Sequence, residues 1–329
     1  MRGWAIAVAL VVAAAAAAGA VQSNPFLGKW NMNGIGADAG SVYWLEIKDD
    51  GEGLSGMFLN RVGSPVRLAL VKVENNELVF QTANRNNEPT GPEYRARIEN
   101  GRLVGRHTMT VRGPRNADGT RAAPTERIVE WAGVRAPAWP AADANARHSY
   151  GTPVVLVDGT SLEAWGVQQA NRPMGWRVED GTITNDKGAN NLVSKQTFSD
   201  FRLQAEYKLP QGSNGGIYLR GRYEIQLFDD YGREGAPRNT DHVSIYGRTP
   251  PRVNASKPPN EWQTVDIVLV ANRVTVTLNG QRVHDNAVIE GITGGALDND
   301  ELAPGPIMVQ GDHSIVWIRK LVVTPMKGA

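Results

Sequence analysis

Phe201-Arg202-Leu203-Gln204-Ala205-Glu206-Tyr207-Lys208-Leu209 alternates apolar and polar residues without a fault. Side chains of an extended chain point to opposite faces in turn, so this stretch is a β-strand with one buried and one wet face. The same period recurs on either side of it. Val274, Val276 and Leu278 alternate with Thr275 and Thr277 up to Asn279-Gly280, a pair that favours a two-residue hairpin turn and brings Val283 back on the Val276 side. In the first half, Tyr43, Leu45 and Ile47 run up to Asp50-Gly51. Leu68, Leu70 and Lys72 alternate with Ala69, Val71 and Val73, and residues 94–98 meet residues 102–104 across Asn100-Gly101. No stretch beyond the first twenty residues shows a convincing helical period. The chain reads as all-β.

With 329 residues, the length suits about two domains of roughly 150 residues each. The boundary falls where both periods stop, at Ala136-Pro137-Ala138-Trp139-Pro140-Ala141-Ala142, so residues 136–150 are a linker between domains at 25–135 and 151–326. Trp139 is expected at the domain interface. In the first domain, short strands with tight turns, beginning at Phe26-Leu27-Gly28-Lys29-Trp30, suit a small up-and-down antiparallel barrel. Its Gly-Lys-Trp start resembles that of lipocalin-like barrels, whose interior is either filled by side chains or holds a ligand. The second domain carries more strands than a small barrel closes, and two stacked sheets bury them best.

Hydrophobic residues at 41% and charged residues at 21% are the ordinary globular mixture, which excludes a disordered, collagen-like or multi-span membrane chain. The formal charge is +1. Without Arg2 it is zero, so no basic excess exists to displace counterions from nucleic acid. Residues 1–20 read as a signal peptide, with Arg2 at the start, an apolar stretch at 4–18 and a small-residue cleavage site at Ala18-Gly19-Ala20. Cleavage after Ala20 and a periplasmic or secreted destination are expected. The stretch is short and alanine-rich beside the roughly 20 strongly apolar residues of a spanning helix, so stable membrane insertion after cleavage is not expected. Cysteine is absent, which removes disulfides and thiolate chemistry and leaves stability to buried apolar area.

The densest polar constellation is Asn214-Gly215-Gly216-Ile217-Tyr218-Leu219-Arg220-Gly221-Arg222-Tyr223-Glu224-Ile225-Gln226-Leu227-Phe228-Asp229. A two-residue turn at Gly221-Arg222 pairs Leu219 with Glu224 and mixes apolar with polar groups. A turn one residue longer pairs Arg220 with Glu224, Tyr218 with Gln226, Leu219 with Ile225 and Ile217 with Leu227. Because register follows the apolar set, the second is preferred. It leaves Tyr218, Arg220, Glu224 and Gln226 on one exposed sheet face. An aromatic ring with charged and amide groups suits a sugar, whose C–H faces want a platform and whose hydroxyls want partners. A plain solvated face with a cross-strand Arg220–Glu224 pair is the bland alternative.

The segments Leu156-Val157-Asp158-Gly159-Thr160-Ser161-Leu162-Glu163-Ala164-Trp165, Gly175-Trp176-Arg177-Val178-Glu179-Asp180-Gly181, Ser213–Gly221 and Tyr223-Glu224-Ile225-Gln226 resemble the successive motifs of the 3-keto-disaccharide hydrolase family. Lys257-Pro258-Pro259-Asn260-Glu261-Trp262 and Asn279-Gly280 with Val283-His284-Asp285-Asn286 continue the resemblance in order. It covers about residues 153–325, the second domain alone. It implies a jelly-roll sandwich like those of concanavalin-type lectins and glucanases, and a secreted or periplasmic role in sugar breakdown. Where the family commonly shows Gln-Asp-His-Gly, this chain reads Gln310-Gly311-Asp312-His313-Ser314, one glycine longer.

The resemblance also implies a reaction. A ketone at C3 of a glucoside acidifies the C2 hydrogen, one base removes it, the enolate expels the group at C1, and water adds to the unsaturated sugar. On this route Glu224 is the base, Arg220 and Lys257 stabilise the enolate, and Gln226 and Gln310 orient the sugar. His313 is the competing base or the acid for the leaving group. Two alternatives remain. Glu224-Ile225-Gln226-Leu227-Phe228-Asp229 resembles the Glu-x-Asp-x-x-Glu strand of laminarinase-like hydrolases, with Gln226 in place of the middle carboxylate and Asp229 in place of the last. Retaining hydrolysis needs two carboxyl groups about 5–5.5 Å apart. The other is a carbohydrate-binding, lectin-like module without chemistry, since the sandwich serves lectins equally well. No cofactor is signalled. The histidines, at 107, 148, 242, 284 and 313, lack metal-site spacing, and His284 is placed at a strand end. Asp298-Asn299-Asp300-Glu301 is either an acidic surface loop or an oxygen-rich calcium site.

Overall fold

The computed structural model describes residues 24–116 and 118–328, and the signal peptide expected at 1–20 lies outside them. Eight antiparallel strands come first: β1 (Gly28–Gly34), β2 (Val42–Asp49), β3 (Leu54–Asn60), β4 (Val66–Glu74), β5 (Glu77–Ala83), β6 (Pro89–Glu99), β7 (Arg102–Val111) and β8 (Thr125–Arg135). They pair in sequence order, and β8 pairs back onto β1 to close a barrel. Alternation fixes what faces in: Trp30, Met32, Tyr43, Leu45, Phe58, Phe80, Tyr94 and Trp131 fill the interior. The rings of Phe80 and Tyr94 stack at 4.8 Å, and Gly105 sits where any Cβ would overlap the Trp131 ring. The barrel is therefore packed through most of its length. A cavity of about 880 Å³ lined partly by Asn60, Tyr94, His107 and Met109 opens beside this packing.

The second half builds β9 (Val154–Val157), β10 (Trp165–Val167), β11 (Trp176–Glu179), β12 (Thr182–Asn185), β13 (Leu192–Phe198), β14 (Phe201–Lys208), β15 (Asn214–Leu219) and β16 (Tyr223–Phe228). It continues through β17 (Trp262–Val270), β18 (Arg273–Leu278), β19 (Gln281–Val288), β20 (Gly305–Val309) and β21 (Trp317–Pro325). One sheet has the order β10-β13-β20-β15-β16, and the other the order β11-β12-β21-β14-β17-β18-β19 with β9 on β21. Phe201, Leu203, Ala205 and Tyr207 of β14 join Ile217, Leu219, Ile225 and Leu227 of the facing sheet in one core. That burial leaves the opposite face of β15 and β16 free for polar groups. The fold is all-β, a closed barrel followed by a two-sheet sandwich, and the Asn100-Gly101 and Asn279-Gly280 turns join β6 to β7 and β18 to β19.

Several details differ from expectation. Between β18 and β19 the two-residue turn forms, pairing Leu278 with Gln281, but a bulge then sets Val276 opposite His284. His284 thus lies inside a strand and not at its end, buried with Nε2 2.8 Å from Val243 O. Trp139 stands over the sandwich, its ring 5.9 Å from the Arg220 guanidinium. The barrel docks through Val42, Trp44 and Leu59, which point outward from it and join the sandwich core. Of the suggested calcium loop, Asp298 pairs with Arg222, Asn299 Nδ2 donates to Met32 O, and Glu301 accepts from Asn31 and from Tyr223. The side chains of Asp298, Asn299 and Glu301 serve as ties within the protein.

Candidate active site

The hairpin of β15 and β16 sets the site. Leu219 pairs with Tyr223, Tyr218 with Glu224, Ile217 with Ile225 and Gly216 with Gln226, so the expected pairing is two residues out of register. A slip of two preserves which side chains share a face. The loop Arg220-Gly221-Arg222 closes with the Arg222 N–H donating to Leu219 O at 3.1 Å, and Arg220 and Gly221 both take the left-handed backbone region, φ 53° and 67°. Glycine adopts that region freely, whereas for arginine it carries a penalty that other contacts must offset. Arg220 has such contacts: its guanidinium donates to Ser199 O, to Ala271 O and to Asp200 Oδ1 at 2.7, 3.1 and 2.6 Å.

Arg220 is consequently not a sugar ligand beside Glu224. It leaves the strand at the turn and is buried as a hairpin anchor. Lys257 is also placed elsewhere: exposed, with Nζ donating to Trp262 O at 3.0 Å and its backbone N–H to Gln263. Neither borders the pocket that contains the other candidates.

That pocket, of about 250 Å³, lies on the sheet face opposite the core and gathers Tyr218, Glu224, Gln226, Gln310 and His313. The face is not an open one, because Tyr218, Glu224 and Gln226 are all buried and form a floor. Asn191, Asn214, Tyr246 and Asp312 complete the polar wall, with Gln168 and Gln169 at the rim. Gly216 supplies room, since a Cβ there would overlap Glu224 Oε1. The Glu224 backbone N–H donates to Thr293 Oγ1 at 2.8 Å, and the Gln226 amide, turned to donate, reaches Glu224 Oε1 and Gly215 O at 3.0 Å.

Burial pushes the Glu224 carboxyl up to about 8, against the opposing pulls of the Tyr218 hydroxyl and the His313 charge. The Tyr218 oxygen shows how such an acid is accommodated. It lies 2.8 Å from Glu224 Oε2 and 2.7 Å from Gly294 O, but a hydroxyl has one proton to give. When Glu224 is protonated it donates to Tyr218, and Tyr218 donates to the carbonyl. When Glu224 is ionised, Tyr218 turns its proton to the carboxylate. Gln310 Nε2 donates to the same oxygen at 3.1 Å. Across the pocket, His313 Nδ1 lies 2.7 Å from Asp312 Oδ1. The hydrogen-bonded Asp312 carboxylate pushes the His313 imidazole above its ordinary range, and His313 holds Asp312 below the usual carboxylate range.

The extra glycine of Gln310-Gly311-Asp312-His313 has a structural reason. A Cβ on Gly311 would overlap Asn190 O and come within 2.7 Å of Trp176 Nε1, while the Gly311 N–H donates to Asn191 Oδ1 at 2.8 Å. The chain is threaded tightly there and delivers Asp312 and His313 to the rim. Asp229 is not brought in: its Oδ2 accepts from the Gly212 N–H at 2.8 Å and it does not border the pocket. Among the described residues no three His, Asp or Glu side chains cluster in a way that would hold a metal ion. Sequence reasoning missed Asp312 as a partner of His313, although adjacency was a readable signal. Asn191 and Tyr246 carried none.

Residues 152–324 match the 3-keto-alpha-glucoside-1,2-lyase-like domain. The chain belongs to this family. The match spans the sandwich and every site residue that it carries, and it leaves out the barrel. A 3-keto-disaccharide hydrolase of Bacteroides thetaiotaomicron is 23% identical over 164 residues, covering 40% of this chain and 57% of that protein. The chain thus spans little more than half the length of that relative. A Parabacteroides distasonis structure described as a glycosyl hydrolase superposes with a TM-score of 0.45 and 26% identity, covering 65% of this chain and 90% of that one. A non-specific endo-beta-1,3(4)-glucanase of family GH16 superposes at 0.35 with 11% identity, over 58% of this chain and 96% of that one. The sandwich itself is established by the strand pairing above.

Proposed function

We propose that the pocket is the active site of a periplasmic or secreted glycosidase that cleaves 3-keto-glycosides by elimination and hydration. The observation that carries this reading is Glu224, a lone buried carboxyl raised to about 8 in an amide-lined pocket that also holds the Asp312–His313 pair. A raised carboxyl is a stronger base once ionised, and abstraction of a C2 hydrogen activated by a neighbouring ketone needs one such base.

Ionised Glu224 takes the C2 proton, and the bonding pair becomes the enolate. The enolate collapses with loss of the C1 oxygen substituent, which takes a proton from the His313 imidazolium. Water then adds across the unsaturated C1–C2 bond: its hydroxyl goes to C1, its other proton to the now neutral His313 imidazole, and Glu224, whose proton has exchanged with solvent, protonates C2, so that both groups return to their starting states. With Arg220 and Lys257 outside the pocket, and both Gln226 N–H groups taken by Glu224 and Gly215, the developing enolate oxygen is left to neutral donors, the amide N–H groups of Gln310, Asn191 and Asn214. Such donors act strongly in a small, partly dry site.

The test is incubation of the protein with a 3-keto-glucoside and with its unoxidised parent in deuterated water. Release of sugar from the keto compound alone, with deuterium at C2, supports the reading. Release from the unoxidised parent would instead favour direct hydrolysis, and binding of both without turnover would favour a lectin.

A further inference from the structure

The family match begins at residue 152, yet part of the pocket wall comes from the barrel: Val62 and Gly63, in the loop between β3 and β4. The loop is seated backbone against backbone. The Gly295 N–H donates to Arg61 O at 2.9 Å, a Cβ on Gly294 would overlap Gly63 O, and a Cβ on Gly247 would come within 2.8 Å of Ser64. Arg61 and Gly63 both hold left-handed backbone angles, φ 64° and 77°, and the Val62 N–H donates to Asn60 O at 2.7 Å. The loop therefore has a defined shape, with Val62 held outward at 72% exposure.

Two features of the pocket give that position a use. At about 250 Å³ it is smaller than the roughly 300–1,000 Å³ usual for ligand sites and has room for roughly one sugar ring. The group attached at C1 must then lie over the rim. Val62 is also the one aliphatic side chain among the residues that border the pocket, in a wall otherwise of amides, charges, glycines and tyrosines. We infer that the barrel supplies the leaving-group subsite, where Val62 packs against the C–H face of the second sugar ring and makes the protein prefer disaccharides to simple alkyl glycosides. This rests on the reading of the pocket as a keto-glycoside site.

The test compares a 3-keto-disaccharide with methyl 3-keto-glucoside as substrates for the full chain and its Val62→Ser and Val62→Trp variants. Val62→Ser should lower the ratio of kcat/KM values, disaccharide over methyl glycoside, about five- to tenfold, and Val62→Trp should raise it. An exposed loop residue is replaceable without loss of fold, which a thermal melt checks. A ratio unmoved by both variants overturns the inference while leaving the proposed reaction intact. Absence of turnover by the unaltered protein would overturn the reaction instead. Calorimetric binding of an unoxidised glucose disaccharide against glucose then still reads the subsite, because the affinity ratio should narrow in Val62→Ser and an unchanged ratio again overturns it.

Discussion

Glu224 carries opposite consequences for activity and for stability. Its proton is held in the folded protein until about pH 8, whereas an unfolded glutamate ionises near 4.3. The folded state therefore binds the extra proton between those values, and folding is disfavoured progressively as pH rises through that window. Glu224→Gln removes the penalty. It should raise the melting temperature, with no gain near pH 4 and a gain equivalent to a few kcal/mol above pH 8, while lowering kcat by at least about 10²-fold. Melts across pH and a single-substrate assay check both halves. His313 titrates the other way: Asp312 raises it, and the leaving group needs its proton. The rate should accordingly follow a bell with its maximum on the alkaline side of neutrality. In His313→Gln the falling limb should disappear, and the remaining midpoint should move above 8, because the imidazolium that favours ionised Glu224 is gone. An unchanged bell would place the acid elsewhere.

The β15–β16 hairpin shows how far an element can be read from residues alone. Which side chains share a face was legible, because Ile217, Leu219, Ile225 and Leu227 must all reach the core and a strand has only two faces. The pairing was not, since registers two apart satisfy the same apolar set. The choice is made off the strand, where Asp200 and two carbonyls draw Arg220 into the turn. A motif also told nothing of where a long side chain ends, so Lys257 was read toward the sugar when its ammonium is tied to Trp262 O. Gly216 gives this element its own test. Its backbone is ordinary for any residue, but a Cβ would overlap the Glu224 carboxylate. Gly216→Ala should displace that carboxylate and lower kcat at least about tenfold, with the melting temperature moving by only a few degrees. A variant with full activity would show that the carboxyl does not need the position it occupies.

At the scale of the molecule, the barrel is joined to the sandwich core because it presents apolar residues outward. Trp44 is buried between the halves, with the Arg248 guanidinium 4.0 Å from its ring and Gly291 so close that a Cβ would come within 2.4 Å of the indole Nε1. Nothing along the sequence announces this. In β2 both Trp44 and its inward neighbours Tyr43 and Leu45 are apolar, and the glycines that admit the barrel fall in loops without a period. The pocket wall at Val62 was hidden for the same reason, being made by docking and not by any one domain's pattern. Trp44→Ala should cost about 3–5 kcal/mol, and the loss belongs to the junction. The unaltered protein is expected to melt in one calorimetric transition, whereas Trp44→Ala should melt in two as barrel and sandwich part. Trp44→Phe keeps most of the ring and discards an indole N–H that finds no partner, so it should retain the single transition. Two transitions in the unaltered protein would mean that the halves fold separately and that the glycine contacts alone hold Val62 at the rim.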